Sequence, residues 1–187
     1  ALQITGLEEV LATQNGTDTF TVFAPTNDAF SAFLQASGFS GIEAVPTSVL
    51  QNILLNHVLS GTVNSGDLST GYVPTLAVGP DQEAISLYVN LSSGVNLNGV
   101  SNVVSADNQA SNGVIHVVDA VIPVPTIVDH ALANSNFSIL VSALTRSSFG
   151  TQFTDLLSGT DGSPFTVFAP TNAAFADVLA GFGLDSL

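Results

Sequence analysis

Cysteine, lysine, methionine and tryptophan are all missing from this 187-residue sequence. Without cysteine there is no disulfide staple, no thiolate nucleophile and no thiolate-ligated zinc site. Arg146 is the one basic side chain against fifteen acidic ones, and the formal net charge is −14. A groove that neutralises phosphates needs clustered Lys and Arg, so a nucleic-acid partner is excluded, and electrostatic docking on anionic lipid is opposed by the same sign. Long apolar runs are missing too. The stretch 114–124 is interrupted by His116, Asp119 and Pro123 and falls short of the roughly 18 residues of a spanning helix, so no direct membrane insertion is expected. No charged segment followed by an apolar one opens the sequence, and any export signal is expected to have been removed or to lie outside it. Apolar residues at 45% and charged ones at 9% nevertheless supply a full core under a surface rich in Ser, Thr and Asn.

The chain repeats itself. FTVFAPTNDAF at residues 20–30 returns as FTVFAPTNAAF at residues 165–175, an offset of 145 residues. That period is too long for a solenoid and matches a domain. The second copy is therefore expected to be incomplete within this chain.

Leu7, Val10 and Leu11 predict a short helix stopping near Asn15-Gly16. The apolar stretch from Phe20 predicts a strand ended by Pro25, with Thr26 capping a helix that carries Phe30, Phe33 and Leu34. Asp28 complements that helix dipole; Ala173 stands at its place in the second copy. Pro46 and Thr47 open a helix with Leu50, Ile53, Leu54 and His57 on one face, and Gly61 is expected to supply its left-handed stop. Ile85, Leu87 and Val89 alternate with polar neighbours as in a strand with one buried face, while Asn98-Gly99 and Asn112-Gly113 suit turns with positive φ. From about Gly61 to Val124 antiparallel strands should dominate. The prolines in Ile122-Pro-Val-Pro-Thr126 mark a stiff connection, which sets expected domains at 1–125 and 126–187. Thr126 with Asp129 resembles a capping box, with Asp in place of the usual Glu, and is expected to open an apolar helical stripe from Ile127 to Leu144, interrupted near Asn134-Ser135. The equivalent helix of the first copy would precede Ala1.

His57, on an apolar helix face, is expected to be a buried, satisfied imidazole bonded by the Thr and Asn of the repeated phrase. His116 should face opposite Ile115 and Val117, and His130 lies beside Asp129. No pair has HExxH-like spacing, no GxSxG elbow is present and no glycine-rich loop has nucleotide-binding spacing, so no metal, catalytic residue or cofactor is expected. The acidic loops 79–83 and 159–162 do not follow the calcium-loop pattern and read as solvated turns. Asn15, Asn90 and Asn136 head glycosylation triplets that arise easily in such a composition.

The repeated phrase, ILLNHVLSG at 53–61, ASNGVIHVVDAVIP at 110–123 and the opening helix TIVDHALANSNFSILVSAL at 126–144 together resemble the fasciclin (FAS1) domain family over nearly the whole chain. The resemblance implies an α+β wedge, an antiparallel β-sandwich flanked by short helices. It would be present as one nearly complete copy lacking its first helix plus the N-terminal part of a second. It also implies a non-enzymatic, secreted or cell-surface adhesion module working through tandem domains on a cell-surface or matrix protein or glycan. Recognition of a polysaccharide or a small apolar ligand is the alternative. Adhesion in some animal members is attributed to a Tyr-His pair and to late acidic-apolar motifs; here these positions read Asn56-His57 and Asp119 to Ile122, which makes Asn56, His57, Asp119 and Ile122 the candidate contacts. Thr26, Asn27, His57, Thr171 and Asn172 are the structural signature positions. Helix exchange between chains through Ile127 to Leu144 is a further expectation, since the first copy lacks that segment.

Overall fold

The computed structural model describes residues 1–12, 19–145, 157 and 165–184. The chain folds as two compact units, Ala1–Val124 and Pro125–Leu187. The Asn15-Gly16 stop, the Asn15 triplet, Arg146 and the 159–162 loop lie outside the described residues.

Unit 1 opens with two short helices, α1 (Leu2–Thr5) and α2 (Leu7–Ala12), separated by Gly6 at φ +70°. Only Leu7 of the expected apolar face is buried, and Val10 is exposed. Strand β1 (Phe20–Pro25) leads through Thr26, whose hydroxyl accepts the amide of Ala29 at 3.1 Å, into α3 (Asn27–Ala36). Helix α4 (Thr47–Leu55) ends at Asn56 in right-handed geometry. Gly61 does have φ +88°, but it closes the strand β2 (Val58–Ser60) and does not stop the helix, because Val58, Leu59 and Ser60 are drawn into pairing with β1.

The remaining strands are β3 (Gly71–Val78), β4 (Ala84–Asn90), β5 (Asn96–Leu97), β6 (Ser101–Ala110) and β7 (Gly113–Val118), in the order β2-β1-β7-β6-β5-β4-β3. The architecture is α+β, a mixed seven-stranded array with flanking helices. Against the antiparallel expectation, β1 and β7 run parallel, since the chain returns to β1 only after the whole β3–β6 excursion. Strand β6 pairs with β5 at its start and with β7 beyond, with register shifts near Ser105 that bend it. Strands β2 and β3, at opposite ends of the order, lie against one another, so the array folds over on itself. Phe23, Leu59, Leu87, Val89, Leu97, Val118 and Ile122 fill the space between its layers. Leu7, Val45, Leu50 and Leu54 form a second cluster under the helices.

Local chemistry explains the turns. Asn98 (φ +50°) and Gly99 (φ +72°) make the primed turn expected of Asn-Gly. At Asn112-Gly113 only the glycine is positive, at φ +151°, and the stronger requirement there is space: a Cβ on Gly113 would sit 1.9 Å from the Phe20 carbonyl oxygen. The alternation in β4 is incomplete, because Tyr88 is buried along with Leu87 and Val89; its ring lies 4.9 Å from that of Tyr72.

Unit 2 contains α5 (Ile127–Ala133), a 3₁₀ turn at Ser135–Phe137, α6 (Ser138–Leu144) and α7 (Asn172–Gly181). The Thr126 and Asp129 capping box forms in both directions, and Asn134 breaks the helical stripe where expected by capping the 3₁₀ turn. Residues 165–170 form no strand, contrary to expectation. Phe23 is fully buried, whereas its counterpart Phe168 is 92% exposed. In unit 1 the same phrase is held as β1 between β2 and β7.

Candidate functional site

The sequence candidates converge on the end of α4. Asn56 and His57 follow its last turn, and both are buried. Asn56 Nδ2 donates to the carbonyls of Ile122 at 3.3 Å and Pro123 at 3.0 Å, and its Oδ1 accepts from Thr75 at 3.4 Å. His57 Nε2 accepts the backbone N–H of Ile122 at 2.9 Å, so its proton sits on Nδ1, which donates to the Ile53 carbonyl at 2.8 Å. The predicted satisfied histidine is there, but its partners are backbone groups and not the Thr and Asn of the repeated phrase. Burial pushes the His57 imidazole down from 6.5 to about 4, against the raising effect of the Ile53 carbonyl. The ring is neutral at physiological pH.

Ile122 is fully buried in the same knot. Asn56, His57 and Ile122 are thereby corrected from candidate surface contacts to internal fasteners that tie α4 to the segment leaving β7. Asp119 is exposed and stands apart. Its carboxylate accepts the Asn102 backbone N–H at 2.7 Å and the Asn102 side-chain amide at 3.0 Å, which hold it below the usual carboxylate range.

A second fastener was not anticipated in detail. His116 faces opposite Ile115 and Val117 as predicted, and its side is the buried one, stacked 5.5 Å from Phe23. Its Nδ1 accepts the backbone N–H of Asp107 at 3.1 Å, so Nε2 carries the proton and donates to the Val63 carbonyl at 2.9 Å. The two histidines thus hold opposite tautomers, each bridging backbone groups distant in sequence. Asp107, at φ +60° in the bend of β6, accepts the Ser65 hydroxyl at 2.5 Å and the Ser65 N–H at 2.7 Å, and these bonds lower its pKa. Ser65, Asp107 and His116 are neighbours, but the serine hydroxyl donates to the Asp107 carboxylate and both imidazole nitrogens are taken by backbone groups, so in this trio the hydroxyl is not paired with the imidazole. Thr21 is a third internal polar link, donating to the Gly61 carbonyl and accepting the Val63 N–H, both at 2.8 Å. The sequence signal for Asp107 and Ser65 was absent, since both read as ordinary loop polars; Thr21, a polar side chain in the inward phase of an apolar strand, could have been found.

Among the signature positions, Thr26 and Thr171 cap α3 and α7 alike. Asn172 accepts the Ile139 N–H and donates to Ser135 and Ser138, while Asn27 is exposed. His130 is half-buried on α5, which lowers its pKa against the opposing effect of Asp129. Among the described residues, no group of three or more His, Asp or Glu side chains is placed to hold a metal ion. No helix among them is long and apolar enough to cross a membrane.

A fasciclin domain family model matches residues 1–125 and 135–184. A Synechocystis protein, Protein sll1483, is 42% identical over 106 residues, covering 57% of this chain and 56% of its own length. The pig transforming growth factor-beta-induced protein ig-h3 is 30% identical over 175 residues, covering 92% of this chain. The chain spans only 24% of that relative. A FAS1 domain pair from the insect cell adhesion molecule fasciclin I superposes with a TM-score of 0.55 over 97% of this chain and 60% of its own, at 19% identity, a likeness of fold. With the repeated phrase, the buried Asn56-His57 pair and the mixed sheet all in place, the chain belongs to the fasciclin domain family.

Proposed function

We propose that this chain is an extracellular, non-catalytic attachment module whose work is done by the outer surface of the fasciclin scaffold on a cell-surface or matrix partner. The observation that carries the reading is the state of the chemistry-bearing side chains. His57 and His116 each spend both ring nitrogens on backbone groups, and Asn56 is spent on Ile122 and Pro123. The polar groups most able to act on a substrate hold the fold together instead. Likeness of fold to a domain pair from an insect cell adhesion molecule is in keeping with the same reading. Recurrence of the domain phrase supports a multivalent mode, in which weak contacts add through avidity. The −14 charge makes basic or neutral surfaces the favoured partners and disfavours polyanions.

The test is attachment of cells and of purified matrix proteins and glycans to the immobilised chain. Saturable attachment that grows with the number of linked copies supports the proposal. Turnover of any substrate, or saturable capture of a small apolar ligand or polysaccharide by a single copy alone, refutes it.

A further inference from the structure

Oxidation has few places to go in this chain. Cysteine, methionine and tryptophan are absent from the 187 residues, and the two tyrosines are the remaining side chains that give up an electron readily. The fold puts those two together. Tyr72 of β3 and Tyr88 of β4 are direct partners in the antiparallel ladder, flanked by Gly71 opposite Val89 and by Val73 opposite Leu87. Side chains of directly opposed residues stand on one face of a sheet, and the two rings lie with centroids 4.9 Å apart and planes inclined at 45°. Tyr72 is 45% exposed, whereas Tyr88 is buried. Burial, and after it the neighbouring Tyr72, raise the pKa of the Tyr88 hydroxyl, in keeping with two phenols held close together. Tyr88 is also fixed from the other edge of its strand: its N–H donates to Asn98 Oδ1 at 2.7 Å, and its carbonyl accepts the Asn98 N–H at 2.8 Å.

We propose that Tyr72 and Tyr88 are an oxidative cross-linking site, at which a peroxide-driven one-electron oxidant joins β3 to β4 through a dityrosine bond. The oxidant takes an electron from exposed Tyr72, whose hydroxyl proton goes to water. The resulting phenoxyl radical takes an electron and a proton from buried Tyr88 across the ring contact, and a second oxidation of the restored Tyr72 leaves two radicals side by side. A bond then forms between one ortho carbon of each ring. Each of those carbons gives up its hydrogen as a proton while the ring oxygen regains one, which restores both phenols. The pair thereby loses two hydrogens in all, and one hydrogen peroxide becomes two waters. Alignment favours this product over coupling between chains, because the partner ring is already in contact while two chains of −14 repel one another. The bond closes a covalent loop from Tyr72 to Tyr88 in a chain that has no cysteine with which to make one.

Treating the whole 187-residue chain, folded and dilute, with a peroxidase and hydrogen peroxide at a dose that converts free tyrosine to dityrosine tests this. The expected product is a monomer lighter by two hydrogens that shows dityrosine fluorescence. Cleavage after Glu83, which lies between the two tyrosines, separates their peptides in the untreated chain and is expected to leave them joined in the treated one. Tyr72→Phe and Tyr88→Phe each keep the ring and remove only the hydroxyl, and both are expected to abolish the monomeric product. A wild-type chain unchanged in mass at this dose overturns the proposal. So does a wild-type product joined chiefly chain to chain, in which exposed Tyr72 reacts without Tyr88, and so does a two-hydrogen loss that survives either substitution.

Discussion

Acid should loosen unit 1 through His57 before its carboxylates begin to matter. In the folded state the imidazole is buried, with Nε2 accepting the Ile122 N–H; protonating Nε2 would set two donors against each other in a site closed to water. Its pKa is accordingly lowered from 6.5 to about 4. For a base whose folded pKa is depressed, the unfolded chain binds the proton first, so the stabilisation is complete above about pH 6.5 and is lost as pH falls toward 4. Integrating that difference between about pH 7 and about pH 4.5 gives a loss of about 2 to 3 kcal/mol. Asp107 and Asp119, whose pKa values are lowered from 3.8, contribute stability that is lost only at lower pH. Denaturant unfolding of the chain and of His57→Gln, followed by circular dichroism across this range, isolates the effect, because glutamine can bridge the same groups but does not titrate. The wild type is expected to lose about 2 to 3 kcal/mol more than the variant on acidification. Parallel loss in the two proteins would refute the reasoning, and so would a variant as stable as wild type at neutral pH but more sensitive to acid.

Other perturbations test separate parts of the structure. Gly113→Ala drives a Cβ into the Phe20 carbonyl at 1.9 Å and should destabilise by about 3 kcal/mol or more, measured by thermal melting; a loss near zero would contradict the β1–β7 register. Asn56→Ala removes the bonds to Ile122 and Pro123 and leaves the buried Ile122 carbonyl without this donor, with an expected cost of about 1 to 3 kcal/mol in denaturant unfolding. Thr26→Ala deletes the cap of α3 and should cost about 1 kcal/mol by the same assay. Asp119→Asn removes a carboxylate whose pKa is lowered by Asn102, so the acid limb of the stability profile below about pH 4 should flatten.

How much could be read in advance depends on the range over which each feature is determined. Thr26 before α3, the Thr126 and Asp129 box and the Asn98-Gly99 turn depend on a few neighbouring residues, and they formed as local chemistry requires. The parallel pairing of β1 with β7 depends on residues far apart in the chain and left no periodic trace. Burial of His57 was legible from its apolar face, but its partners were not, because backbone groups of Ile53 and Ile122 carry no side-chain signature. The same holds for Asp107 and Ser65, brought to His116 by a bend in β6. The strand at residues 165–170 failed for a different reason: its pattern is that of β1, but a strand needs a ladder to join, and pattern does not report the partner.

The central claim is that the fasciclin signature residues hold the scaffold while attachment resides on its outer surface. Cell and matrix attachment to immobilised chain, compared at neutral pH between wild type and a His57→Gln protein shown by circular dichroism to be folded, tests it most directly. Equal attachment is the predicted result. Loss of attachment by the folded variant would place His57 in the contact itself and contradict the account.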